Sequence, residues 1–161
     1  MCLEIKLGYD KKEDIKKLFS EYTDMLIKNE TSMSNYLQIQ NYDDELIHLD
    51  KKYGTPYGRL YIAYMDGKAA GCIALRKISD INCELKRLFV KPEFRGHKLG
   101  ETLIQKIIDD AKQIGYQYMF LDTLPFLKSA IYLYKKLGFY ETEPYLNSPI
   151  DTSIFMKLNL K

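Results

Sequence analysis

Apolar and polar positions alternate through LEIKLGY, Leu3 to Tyr9, with the two-residue period of a half-buried strand. Next, Ile15, Leu18, Phe19, Tyr22, Met25 and Leu26 recur every three or four positions, which predicts an amphipathic helix. The polar stretch NETSMSNYLQIQN interrupts it. DDELIHLDKKYG, Asp43 to Gly54, then reads as a second helix that starts on acids and stops at glycine. RLYIAYM and KAAGCIALRK are strand-like and meet at Asp66 and Gly67, a pair suited to a type I′ hairpin because both central positions need positive φ. CELKRLFV, Cys83 to Val90, is a third strand of this sheet, but its alternation is broken. Cys83, Leu85 and Phe89 share a parity with Arg87, whereas Leu88 and Val90 share theirs with Glu84 and Lys86. A bulge would switch the parity midway.

Leu99, Leu103, Ile107 and Ala111, flanked by Ile104 and Ile108, form one helical face that ends near Gly115. YQYMFL is strand-like, SAIYLYKKLGF is a short helix closed by Gly138, and DTSIFMKLNL is a terminal strand. The strand, helix, strand passage from Cys83 to Leu121 predicts a right-handed crossover between parallel neighbours, and the earlier strands predict antiparallel hairpins. The expected fold class is α/β in the α+β sense, a mixed sheet with helices on both faces. At 161 residues the chain has the size of a single domain, expected to span residues 1–161.

Charge narrows the function classes. With 24 Lys and Arg against 22 Asp and Glu, the net charge of +2 creates no global field toward nucleic acid or an anionic membrane, so any anion site must be local. The opening residues MCLEIKLGYDKK lack a signal-peptide core, and no segment approaches the roughly 18 apolar residues of a spanning helix. A cytoplasmic protein without membrane contact is expected. Cys2, Cys72 and Cys83 show no metal-ligand spacing, which predicts reduced thiols and no metal. The terminal strand SIFMKL could pair within or between chains, which leaves a homodimer open.

The local anion site is suggested by EFRGHKLGETLI, Glu93 to Ile104. Pro92 stops the preceding strand, Gly96 relaxes the backbone, and the chain enters a helix whose first amides lack internal partners. Arg95, His97 and Lys98 add charge there, so a phosphate or pyrophosphate would fit. The spacing is neither G-x-x-x-x-G-K-[ST] nor the G-x-G-x-x-G of a dinucleotide fold.

The run ELKRLFVKPEFRGHKLGETLI resembles the central segment of the GCN5-related N-acetyltransferases (GNAT), with Arg95 and Gly100 at the ends of an [RQ]-x-x-G-x-[GA] loop. Lys98 stands where that family usually has glycine; its side chain limits backbone approach to the ligand but can add a charge contact. LDTLPFLKSAIYLYKKLGFYE extends the likeness, so that Glu84 to Glu141 carries it, a little over a third of the chain. The resemblance implies a mostly antiparallel sheet of six to seven strands with a parallel β-α-β crossover at its centre. It also implies a bulged strand, Cys83 to Val90, splayed from Gln117 to Leu121 to admit acetyl-CoA as cosubstrate. Carried over by position, the backbone around Leu88, Phe89 and Val90 would hold the pantetheine and acetyl region. Arg95, Gly96, His97, Lys98, Leu99, Gly100 and Glu101 would hold the pyrophosphate.

The implied reaction is direct attack of a primary amine, on a small molecule or a peptide, in a ternary complex. Tyr134 matches the family tyrosine near the sulfur, although it also continues the helical stripe Ala130, Leu133, Leu137. Glu84 matches a carboxylate that deprotonates the amine; its alternative is a solvated strand-end acid paired with Lys86 or Arg87, and Asp122 is a second candidate base. Cys72 and Cys83 allow an acyl-cysteine route but have no histidine nearby in sequence, and His97 and His48 read as a loop donor and a surface residue. Tyr36, Tyr42, Tyr53, Tyr57 and Tyr61, near Asp43, Asp44 and Glu45, are compatible with an amine site or with ordinary half-buried tyrosines. A module that binds CoA or acyl-CoA without acetylating an amine is the alternative function. The short basic patch of Arg87, Lys91, Arg95, His97 and Lys98 lacks any nucleic-acid recognition motif.

Overall fold

The structure is a computed structural model that describes residues 2–161. Its strands are β1 (Leu3–Leu7), β2 (Arg59–Met65), β3 (Lys68–Lys77), β4 (Asn82–Val90), β5 (Tyr118–Thr123), β6 (Tyr140–Glu141) and β7 (Ile154–Asn159). Its helices are α1 (Lys12–Asn29), α2 (Met33–Ile39), α3 (Tyr42–Ile47), α4 (Leu49–Tyr53), α5 (Leu99–Ile114) and α6 (Lys128–Lys136). The seven strands form one sheet in the order β1-β2-β3-β4-β5-β7-β6. Among the described residues, β4 and β5 pair in parallel across the α5 crossover, and the remaining neighbours are antiparallel. Among the described residues, no helix is long and apolar enough to cross a membrane.

Alternation along the strands feeds two cores. Leu60 and Ile62 of β2, with Cys72 and Ala74 of β3, face Ile15, Leu18 and Phe19 of α1 and Leu49 and Tyr53 of α4. Tyr61, Ala63, Ile73 and Leu75 turn to the other face, where Leu99, Leu103, Ile107 and Ala111 of α5 cover them. The β2–β3 turn has Asp66 at φ 50° and Gly67 at φ 80°, the two positive angles that the Asp-Gly pair predicts.

The broken alternation of β4 is a bulge. Cys72 pairs with Phe89 and Ala74 with Lys86, so Ile73 of β3 alone opposes Arg87 and Leu88 of β4, and Arg87 takes φ 59°. As a result Cys83 and Leu85 face α5 before the bulge, Leu88 and Val90 face it afterwards, and Phe89 packs on the α1 side.

Three expectations need correction. NETSMSNYLQIQN contains α2, because Met33, Tyr36 and Leu37 supply a buried face at helical spacing within a polar stretch. The single helix expected from Asp43 to Gly54 is two, broken at His48 (φ −122°, ψ 60°) between Glu45, which is tied to the sheet, and Leu49 and Tyr53, which enter the α1 core. The strand expected to end at Leu121 runs to Thr123, since β7 pairs with it as far as Thr123 and Ile154.

Candidate active site

The parallel pairing of β4 with β5 covers only Asn82 to Glu84 against Tyr118 to Phe120. Beyond that point β5 follows β7 while β4 follows β3 through the bulge, and the sheet opens between them. The Lys91 amide donates to the Ala70 carbonyl at 2.8 Å. By strand alternation the Phe89 backbone also faces β3, and the amides of Leu88 and Val90 face the opening. The Phe89 side chain enters the α1 core, its ring 5.9 Å from that of Tyr22. The opening is lined by Leu85 to Leu88 on one side and by Asp122, Thr123, Leu124, Leu127 and Tyr134 on the other. Met33, Tyr36, Leu37 and Gln40, on or just beyond α2, cover it and leave about 50 Å³.

At the far end of β4 a 3-10 turn, Pro92–Phe94, leads into the loop. Arg95, Gly96, His97 and Lys98 are exposed. Gly96 has φ 86°, and Lys98 has φ 60°, ψ 21° at the N-cap of α5. The usual family glycine is explained by that angle. Lysine occupies it at a backbone cost of roughly 1–2 kcal/mol. The first helical bond of α5 runs from the Thr102 amide to the Lys98 carbonyl (3.0 Å), so the amides of Leu99, Gly100 and Glu101 have no helical acceptor and stand at the positive end of the dipole. A Cβ on Gly100 would sit 3.2 Å from Leu133 Cδ1, so glycine lets α5 approach α6. Glu101 adds an ion pair to Lys136 at 2.9 Å. Loop and opening thus lie at successive points of one chain path, and Tyr134 of α6 lines the opening.

Tyr134 is 5% exposed, with its ring edge-on to Phe139 at 5.6 Å. Burial pushes its hydroxyl up, so it stays protonated and can donate a hydrogen bond. Glu84 is fully buried rather than solvated. Its Oε1 accepts from Arg76 Nε at 3.0 Å and its Oε2 from the Tyr145 hydroxyl, with Lys86 Nζ at 4.0 Å. Burial alone would raise its carboxyl; Lys86, Arg76 and Tyr145 outweigh that and hold it below the ordinary carboxylate range. Asp122 lines the opening directly, and its Oδ2 accepts from the Tyr36 hydroxyl at 2.6 Å.

Behind the opening lies an ion network that the sequence did not announce. Arg87 donates through Nε and Nη2 to both oxygens of Glu45, each at 2.8 Å, and through Nη2 to Gln40 Oε1 at 3.0 Å. Lys52 joins Glu45 at 2.7 Å. Lys86, 7% exposed, donates to Gln40 Oε1 at 3.3 Å, and burial pushes its ammonium down to about 8 against the pull of Glu84. Because Arg87 is buried in this network, it is not part of a surface basic patch. Tyr145, held between Phe120 (5.0 Å) and Phe155 (5.6 Å), is the partner of Glu84 that no motif marks.

The remaining candidates lie elsewhere. Cys72 and Cys83 are fully buried, and burial pushes both thiols up, which disfavours a nucleophilic thiolate. His48 and His97 are exposed. Of the tyrosine cluster, Tyr36 lines the opening, Tyr42 lies under Arg87, Tyr53 is core, Tyr57 meets Lys77, and Tyr61 donates to Asp110.

A model of the acetyltransferase (GNAT) family matches residues 15–139. The chain belongs to that family. Membership gives the enzyme class, N-acetyltransferase, to which the loop and Tyr134 pointed. An uncharacterized N-acetyltransferase of Schizosaccharomyces pombe is 42% identical over 158 residues, covering 97% of this acetyltransferase and 92% of the relative. Among solved structures, a GNAT-family acetyltransferase of Staphylococcus aureus superposes with a TM-score of 0.79 at 23% identity, over 99% of this chain and 100% of that one. An N-acetyltransferase of Thermoplasma acidophilum in complex with coenzyme A gives 0.73 at 20% identity, over 99% of each chain. These two likenesses concern the fold.

Proposed function

We propose that this acetyltransferase moves the acetyl group of acetyl-CoA to a primary amine by direct attack within a ternary complex in the opening between β4 and β5. The observation that carries this reading is the early end of β4–β5 pairing at Glu84 and Phe120, which leaves the Leu88 and Val90 amides facing a cleft beside Tyr134. The residues fit the cosubstrate. The amides from Gly96 to Glu101, with Arg95 and Lys98, would take the pyrophosphate, and the strand amides would take the pantetheine arm and the thioester oxygen.

The amine nitrogen forms its bond to the carbonyl carbon, and the carbon–sulfur bond breaks as the tetrahedral intermediate collapses. An amide of β4 meets the negative charge developing on oxygen. Tyr134 delivers a proton, or a hydrogen bond, to the departing thiolate and recovers a proton through the cleft. The amine must arrive neutral. Glu84, with both oxygens engaged, can accept its proton only through a relay, whereas Asp122 lines the cleft and can meet the amine or an intervening water. Two free, fully buried thiols are consistent with action in the reducing cytoplasm.

Calorimetry of the purified protein with acetyl-CoA, CoA and ATP tests the first step. Binding of the two CoA species well above ATP is expected; equal or absent binding of all three removes the assignment. Thiol release over a screen of amines, polyamines, amino acids and peptide N-termini separates transfer from mere CoA binding, which yields no release above hydrolysis.

A further inference from the structure

Lys86 is a buried ammonium facing the cleft, and both of its polar partners are committed elsewhere. Gln40 Oε1, at 3.3 Å, also receives Arg87 Nη2 at the shorter distance of 3.0 Å. Glu84 Oε1, at 4.0 Å, is held by Arg76 Nε at 3.0 Å, and Glu84 Oε2 is taken by Tyr145. An ammonium has three donors, so this one keeps donor capacity on the cleft side. The network around it is also unbalanced. Lys52, Arg76, Lys86 and Arg87 bring four positive charges, whereas Glu45, Glu84 and Asp122 bring three negative ones. A buried cation in such surroundings is costly until an anion meets it. Asp122 stands across the same cleft, close enough to act on Lys86 electrostatically, and only its Oδ2 receives Tyr36.

We infer that the acceptor is an amine that carries a carboxylate close to its nitrogen, an amino-acid type of molecule, with Lys86 holding the carboxylate and Asp122 receiving the amine end. Once its amine is neutral, the acceptor carries a single negative charge, and that charge balances the network. The small volume beneath α2 suits a compact zwitterion better than a long polyamine. The inference rests on the acetyl-transfer reading above and narrows it to a substrate class.

The test compares acceptors that differ only in the carboxylate: a panel of amino acids and β-amino acids against the matching carboxamides. For the wild-type protein, kcat/KM of the best acid should exceed that of its amide at least about tenfold. Lys86→Met and Lys86→Gln should raise KM for the acid at least about tenfold, change that for the amide less than about threefold, and leave acetyl-CoA affinity unaltered; Lys86→Arg should recover part of the loss. Equal or better use of the amide by the wild-type protein, a comparison that needs no variant, overturns the inference while acetyl transfer stands. A fall in kcat alike for acid and amide also overturns it, since Lys86 would then serve the reaction rather than recognition. If acetyl-CoA binds but no acid in the panel is acetylated, the inference fails; if acetyl-CoA does not bind, the underlying reading fails with it.

Discussion

Removing the Arg87 guanidinium probes the link between the β4 bulge and the helices that cover the cleft. Arg87 makes three hydrogen bonds, two to Glu45 and one to Gln40, and both charged partners are buried. Arg87→Met keeps the volume but strands Glu45 with Lys52 alone, and breaking one side of a buried pair costs about 3–5 kcal/mol. A second estimate comes from the carboxyl itself. Burial would raise the Glu45 pKa, but Arg87 and then Lys52 lower it from 4.5 to about 2. At about 1.36 kcal/mol per unit, that is roughly 3 kcal/mol. Because the folded pKa is depressed, this stability is fully present above pH 4.5 and is lost as pH falls through the range down to about 2. At about 2–4 °C per kcal/mol for a chain of this size, the variant should melt roughly 6–20 °C lower at pH 7. Urea unfolding of wild type, Arg87→Met, Glu45→Gln and an Arg87→Met/Glu45→Met double variant measures the loss. The acid-dependent loss between pH 4.5 and 2 should shrink in Arg87→Met, and the double variant should recover much of the stability. A loss under about 1 kcal/mol in Arg87→Met, with the wild-type acid response intact, would refute the claim that this pair fixes the bulge to α3.

Three further outcomes follow from the site. Tyr134→Phe should lower turnover about 10²-fold with acetyl-CoA affinity unchanged, read by steady-state kinetics and calorimetry; unaltered turnover would leave Tyr134 with packing alone. Lys98→Gly should be about 1 kcal/mol more stable than Lys98→Ala in urea titration, because alanine keeps the left-handed strain and glycine does not; equal stabilities would contradict the φ of 60°. Gly71→Ala would place a Cβ 2.7 Å from the Phe89 carbonyl oxygen, so it should cost about 1–3 kcal/mol and weaken acetyl-CoA binding by displacing the bulge; a neutral effect would show that β3 and β4 can separate there.

Much of the fold was written in local pattern. The broken parity from Cys83 to Val90 announced the bulge because a strand flanked by two cores reveals any slip of register in its apolar positions. Asp66-Gly67 announced its hairpin through the two positive φ angles that few other pairs adopt. The helix start at Leu99 and the place of Tyr134 on a short helix were legible from local spacing. What stayed hidden depends on long-range contact. Nothing near Glu84 in sequence marks Tyr145, which returns from far along the chain, and nothing beside Lys86 marks Gln40. The alternative of Glu84 as a solvated strand-end acid fails because Glu84 is buried with Lys86, whose ammonium lies 4.0 Å away, and is held by Arg76 of the neighbouring strand. Helix α2 escaped notice because three buried residues carry it within a stretch of amides, hydroxyls and acids.

The most direct measurement is a crystal structure of the acetyltransferase soaked or grown with coenzyme A. The account predicts the diphosphate within hydrogen-bond distance of amides between Gly96 and Glu101, the pantetheine along Leu88 and Val90, and the sulfur beside the Tyr134 hydroxyl. A diphosphate bound elsewhere, or a sulfur remote from Tyr134, would contradict it.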